Sequence, residues 1–293
     1  MTNGVPTQQS LATVLFDEEN CKKWLIERGT IWNIRICNVC RKQLHLNAAQ
    51  ERYRHKCTAG VKEMSMWKNT FFSKSKLTPS QTMNMIYLWL LGADATMLKA
   101  VGGHGRTTVA NFITNVSQMV AKDLNEQSQI IGGEGIVVEI DESKLSKRKY
   151  NQGHCVQGVW VIGGVERTAQ RKMFTVQIEQ RDSETISNII QRHVLPGSII
   201  HTDCWRGYSY LASDPNYTHL TVNHFRHFKD PVTGVHTNSI EGTWGAVKAN
   251  VSKRYRTEGA LSDHLNAFIW RRQNEERLWE AMIEALTDYD YIE

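Results

Sequence analysis

The chain has 293 residues, with 35 lysines and arginines against 30 aspartates and glutamates, a formal charge of +5 and a pI near 8.8. That length buries a full core and leaves material for a smaller appendage, and the modest basic excess suits a polyanionic partner without demanding one. Six cysteines are too few and too scattered for a secreted disulfide scaffold, the amino terminus lacks a basic and apolar leader, and stretches such as MIYLWLLGA fall short of a membrane span, so the expectation is a soluble protein of a reducing intracellular compartment.

In chain order, residues 11–29 predict a short helix and residues 31–75 short strands around the cysteines. Cys37-Asn38-Val39-Cys40 has the two-residue spacing of a zinc knuckle, and YRHKC adds His55 and Cys57, so Zn2+ on Cys37, Cys40, His55 and Cys57 is the expectation for a segment too short to bury much core. No cysteine follows Cys57 two or three residues on, which leaves open Cys21 as a ligand or a ribbon held by packing alone.

Thr78 and Pro79 open the next helix as N-cap and first-turn proline, and Gly92 ends it. A second apolar period, Val109, Phe112, Ile113, Val116, Met119 and Val120, follows the turn-like GGHGR. Two helices in this relation suggest a helix-turn-helix, with Arg106, Thr107, Thr108 and Asn111 near the end that approaches bases or phosphate. Capping and surface solubility are their plainer roles.

From Gly135 the texture changes. IVVEID, CVQGVWVIGGV and KMFTVQIE read as three successive strands, with Gly163 and Gly164 marking a hairpin-like break. SETISNIIQRHV reads as a helix stopped near Pro196, and GSIIHTD as another strand. Strands, helix, strand and further helices describe an α/β layer with a mixed sheet. The expected organisation is an N-terminal segment over residues 1–76, a helix-turn-helix-like DNA-binding region over 77–130, and an α/β domain over 131–293 that includes the C-terminal helices.

Asp141 ends IVVEID, Asp203 ends SIIHTD, and Glu241 opens the helix-like EGTWGAVKANV. Two strand ends and one helix can assemble a carboxylate cluster for divalent metals, because hard cations need several oxygens held at fixed spacing. A surface acid, a cap or half of a salt bridge is the plainer reading of each, and Glu241 also suits the first turn of a capping box begun at Asn238. Lys248 lies two turns along the Glu241 face, within reach of phosphate or simply solvated. His201 and His236 are placed either to support this site or to serve as neutral structural histidines. Lys144, Lys147, Arg148 and Lys149, with Tyr150 beside them, follow Asp141, and Lys253, Arg254 and Arg256 form a second basic set; as a phosphate track they would make DNA binding weaken with salt. Trp205 and Tyr208 suit packing, with DNA contact open for Tyr208. Cys155 and Cys204 read as core or near-core thiols.

The segments VVEIDESKLSKRKYNQG, IIHTDCWRGY and HTNSIEGTWGAVK resemble the catalytic core of Merlin-type DNA transposases and their bacterial relatives, the IS1595-like group with the ISXO2-like transposase domain. The likeness runs from about Ile136 to Trp270, with all three acidic motifs in family order. It implies a ribonuclease-H-like fold and cut-and-paste transposition at a DDE site, with two Mg2+ or Mn2+ ions on Asp141, Asp203 and Glu241 and a lysine at Lys248. It also implies an N-terminal zinc ribbon and a helix-turn-helix that reads the transposon end, double-stranded transposon-end and target DNA as partners, a homo-oligomer on DNA, and action in the nucleus. Two other classes stay open: a host-recruited DNA-binding protein that no longer transposes, and a metal-dependent nuclease acting on other nucleic acids.

Overall fold

The computed structural model describes residues 4–37, 39–54, 63–73, 75–124, 129–145, 158–223, 229–231 and 233–289. It divides into two compact units, Met1–Asp123 together with Asn274–Glu293, and Leu124–Gln273. Among the described residues no helix is long and apolar enough to cross a membrane.

The first unit begins with α1 (Ala12–Phe16) and α2 (Glu18–Glu27) in place of the single helix expected over 11–29. The break is at Asp17, which is extended and whose carboxylate accepts the Asn20 N–H at 3.0 Å to cap α2. β1 (Ile34–Ile36), β2 (Gln43–Asn47), β3 (Arg52–Arg54) and β4 (Glu63–Ser65) form an antiparallel sheet in chain order. α3 (Pro79–Leu90) has the capping box its sequence announces: Thr78 and Gln81 exchange side-chain and backbone bonds at 3.4 and 3.0 Å, and Gly92 takes φ +88° beyond its end. α4 (Ala95–Gly102) lies between the two expected helices; it buries only Leu98, so two turns of helix leave no apolar period to read. α5 (Arg106–Asp123) then buries the face of Val109, Phe112, Ile113, Val116 and Val120.

The second unit is a mixed α/β domain. β5 (Ile131–Gly132) pairs later with the short β9, while β6 (Val137–Leu145), β7 (Val159–Glu166) and β8 (Met173–Ile178) form an antiparallel meander. α6 (Ser183–His193), capped by Asp182, leads through β9 (Val194–Leu195) to β10 (Ile199–Asp203), which joins the free side of β6 in parallel. β11 (Thr218–Val222) pairs parallel with β10, giving the sheet order β11-β10-β6-β7-β8. α7 (Asn238–Asn250) and α8 (Glu258–Gln273) complete the unit; α9 (Leu278–Asp288) belongs to the first unit, packed with α3 and α5.

Side chains alternate across the sheet, so the second unit has two inner faces. Val138, Ile140, Ile162, Phe174 and Ile200 pack with Ile186 and Ile190 of α6 and with Tyr208 and Leu211. The opposite face lies under α7, which packs on β6 and β7. Gly163 and Gly164 correct the sequence reading here, since both sit inside β7, paired with Thr175 and Phe174, and the ladder runs through them without a turn. Their role is close approach: a Cβ at Gly163 would come within 2.8 Å of the Trp244 ring on one face, and one at Gly164 within 2.4 Å of Phe174 on the other.

Candidate active site

Asp141 stands in the middle of β6, which continues to Leu145, and not where the strand gives way to a loop as its sequence suggested. β10 runs beside β6 with Ile199 against Val137 and His201 against Glu139, so continuing the register by two residues brings Asp203 alongside Asp141. Adjacent strands lie about 4.8 Å apart, and residues in one row share a face. That face is covered by α7, whose first turn carries Glu241.

What seats α7 there is Glu139, two residues before Asp141 on the same face of the strand. Its carboxylate is wholly buried; Oε2 accepts the N–H groups of Ser239 at 2.7 Å and Ile240 at 3.1 Å, and Oε1 accepts from Arg167 Nε at 2.5 Å. A helix N-terminus presents N–H groups without intrahelical partners and a partial positive charge, so a carboxylate from the sheet both satisfies and anchors it. Asn238 is consequently the first helical residue and not the cap, with Thr237 before it donating its hydroxyl to Glu241 Oε1 at 2.9 Å. Arg167 extends the clamp to the His236 carbonyl at 2.6 Å and its Nδ1 at 2.8 Å.

An Nδ1 that accepts from a guanidinium carries no proton, so His236 is neutral, and burial followed by the Arg167 charge holds its pKa below the ordinary value. His201, 5% exposed, is pushed down to about 4 by burial and then by Arg167. Both histidines therefore favour the neutral form near pH 7, and His236 is the one that bonds to the clamp. Asp141 moves the other way, raised to about 7 chiefly by burial, then by the charge of Glu142, with Asp203 and Glu241 adding to the repulsion. Asp141 thus feels the charge of both other acids. Asp141 Oδ2 accepts the Trp244 indole N–H at 3.1 Å, and Asp203 Oδ1 accepts the Trp205 N–H at 2.9 Å.

Among the described residues, no three histidine, cysteine, aspartate or glutamate side chains converge closely enough to hold a metal ion. The chemistry of the donor set nonetheless fits a hard divalent cation: carboxylate oxygens carried on two strands and a helix are the ligands Mg2+ and Mn2+ prefer. Asp141, Asp203 and Glu241 would hold it. A cavity of about 440 Å3 in the same unit, lined among others by Thr175, Arg192, His193 and Asn266, contains none of the three acids.

Glu241 and Lys248 are exposed on α7, seven residues apart and so on one face. Lys144 is on β6 with its ammonium 5.5 Å from the Trp160 ring centroid; Lys147, Arg148, Lys149, Tyr150 and Cys155 lie outside the described residues. Lys253 and Arg254 are exposed on the turn after α7, but Arg256 leaves the expected basic set: its guanidinium donates to the carbonyl of Val251 at 2.8 Å and to that of Lys248, closing the C-terminal end of α7. Tyr208 is buried and Trp205 packs on the core under the Arg181 guanidinium, 4.1 Å from its ring centroid, while Cys204 is exposed.

In the first unit Arg106, Thr107 and Asn111 are exposed at the start of α5. Cys37 is buried and Cys40 half-buried in the turn between β1 and β2, while His55 and Cys57 lie outside the described residues. Cys21 is buried in α2, its thiol pushed up to about 12 mainly by burial. Glu139, Arg167 and Trp244 were not singled out from the sequence, and Gly163 was read there as a break in the strand. Glu139 had a readable signal, an acid two residues from Asp141 within an apolar strand; the other three become meaningful only through cross-strand and helix-to-sheet contacts.

Residues 130–272 match the ISXO2-like transposase domain. An uncharacterized transposase-like protein of Haemophilus influenzae (strain ATCC 51907 / DSM 11121 / KW20 / Rd) is 29% identical over 109 residues, covering 36% of this chain and 84% of that protein. The crystal structure of a pre-cleavage Mos1 transpososome matches over 72% of this chain and 80% of that chain at 10% identity, with a TM-score of 0.27, too low to bear on the fold. β6, β10 and α7, which carry the three acids, fall within the matched span, so residues 130–272 are similar to the ISXO2-like transposase domain.

Proposed function

We propose that the chain is a DNA transposase whose second unit, a ribonuclease-H-like core, cleaves transposon ends in a metal-dependent reaction and transfers the released 3′-hydroxyl to target DNA. The observation that supports this reading is the parallel pairing of β10 with β6, from Ile199 and Val137 to His201 and Glu139, with Asp203 and Asp141 each two residues further along and α7 packed on β6. The family of residues 130–272 supports it independently. Bound Mg2+ or Mn2+ would supply Lewis-acid activation of water or 3′-hydroxyl and stabilise the leaving oxygen, so one site serves hydrolysis and joining. Asp141 and Asp203 contribute fixed negative charge from rigid strands, and Glu139 holds α7 so that Glu241 completes the set. Lys248 meets a phosphate of the reacting strand. Lys144, Lys147, Arg148, Lys149, Lys253 and Arg254 form the track for the DNA backbone.

In the first unit the helices of residues 77–130 act as a helix-turn-helix region, with Arg106, Thr107 and Asn111 of α5 toward the transposon end, and the β1–β4 sheet as a degenerate zinc ribbon on Cys37, Cys40, His55 and Cys57. At least two copies act on paired ends. The test is strand transfer: purified protein, Mg2+ or Mn2+, an oligonucleotide of the element's end with a free 3′-hydroxyl, and a plasmid target. Covalent joining is expected. Tight end binding without joining in either metal would instead favour a recruited DNA-binding protein.

A further inference from the structure

The helix that carries Glu241 also carries Trp244, one turn on, which packs on the sheet and also donates a hydrogen bond to Asp141. Trp244 is 3% exposed and its six-membered ring lies directly on Gly163, where a Cβ would approach Cη2 to 2.8 Å and Cζ2 to 3.0 Å. Gly163 is the cross-strand partner of Asp141. The missing side chain therefore lets the indole settle beside the acid, with Nε1 3.1 Å from Asp141 Oδ2. An apolar contact would be met equally by a smaller ring over an alanine; the indole N–H, a donor with no acceptor capacity, is the part such a pair would lose.

We propose that Trp244 is a positioning residue for Asp141: seated by the glycine at 163, its N–H fixes the rotation of the carboxylate so that Asp141 faces a divalent cation shared with Asp203 and Glu241. The inference rests on the metal-site reading above. Groups that orient a ligand from behind typically change metal affinity by about 10- to 100-fold when removed. Gly163 and Trp244 act through one hydrogen bond, so their effects on affinity should not add, whereas their costs in packing should.

The test is Mn2+ binding to the full chain, read from the electron paramagnetic resonance of free Mn2+, for wild type, Asp141→Asn, Trp244→Phe, Gly163→Ala and the double variant, with urea unfolding measured alongside. Expected is wild-type binding that Asp141→Asn abolishes, a loss of about tenfold or more for Trp244→Phe and for Gly163→Ala, and a double variant no weaker than the weaker single. Trp244→3-benzothienylalanine keeps the bicyclic shape without an N–H, and it should lose affinity while remaining folded if Trp244→Phe does not fold. Wild-type affinity in that isostere, or losses that multiply in the double variant, overturns the positioning role while the metal site stands. Absence of any Mn2+ binding sensitive to Asp141→Asn overturns the metal site and the inference with it.

Discussion

Replacing Glu139 probes the joint between sheet and helix. In the native protein its buried carboxylate accepts two N–H groups from the first turn of α7 and one from Arg167. Glu139→Ala strands all three donors at once. Hydrogen bonds to charged groups contribute about 1.5–3 kcal/mol each, but they are not additive. Removing one partner of a buried ion pair costs about 3–5 kcal/mol, and because Arg167 keeps 24% of its side chain exposed, water offsets part of the loss and the lower half of that range applies. Glu139→Gln retains one acceptor oxygen for the helix and turns an amide toward Arg167, so it should cost about 1–3 kcal/mol. Urea unfolding followed by circular dichroism would give the order wild type, Gln, Ala in falling stability. Under conditions where all three are folded, DNA cleavage should fall in the same order, because Glu241 is carried on the loosened turn. A Glu139→Ala protein within about 0.5 kcal/mol of wild type, the range of ordinary surface changes, would refute the clamp.

Asp141 supplies a prediction of opposite sign. Its folded pKa, about 7, lies above the ordinary 3.8, so in metal-free protein folding is opposed by its ionisation: the penalty is absent below about pH 4, grows as pH rises, and is complete above about pH 7. At about 1.4 kcal/mol per unit the ceiling is about 4 kcal/mol, and Asp141→Asn should be about 2–4 kcal/mol more stable than wild type at pH 8 in EDTA, with the difference gone at pH 4. Urea midpoints at the two pH values check this; equal stability at pH 8 would contradict the raised pKa. Lys253→Ala combined with Arg254→Ala should weaken DNA binding and reduce the slope of log affinity against log salt by about two phosphate contacts, measured by fluorescence anisotropy from 50 to 300 mM salt, at roughly 0.9 per contact. An unchanged slope removes that turn from the DNA track.

Much of the second unit was legible from local pattern. The apolar strands around Asp141 and Asp203 and the helix between them announce themselves within a few residues, as does the Thr78 cap in the first unit. The elements carrying the acids were legible for the same reason, although Asp141 lies in the middle of β6 and not at its end. What stayed hidden depends on pairs distant in the chain. Gly163 and Gly164 look like a turn because glycine commonly permits one, and only Trp244 and Phe174 reveal that close packing is their purpose. Glu139 caps a helix a hundred residues away, a relation that no N-terminal motif of α7 displays. Arg256 reads as one more basic residue until its carbonyl partners are seen, and α9's membership of the first unit has no local signature.

The central claim is that Asp141, Asp203 and Glu241 act as one metal-dependent catalytic site. It is tested most directly by strand cleavage of DNA carrying the element's ends, in Mg2+ or Mn2+, by wild type and by Asp141→Asn, Asp203→Asn and Glu241→Gln, each shown to be folded. The account predicts cuts at the ends that require the metal and disappear in all three variants. Wild-type cleavage by any one of them would contradict it.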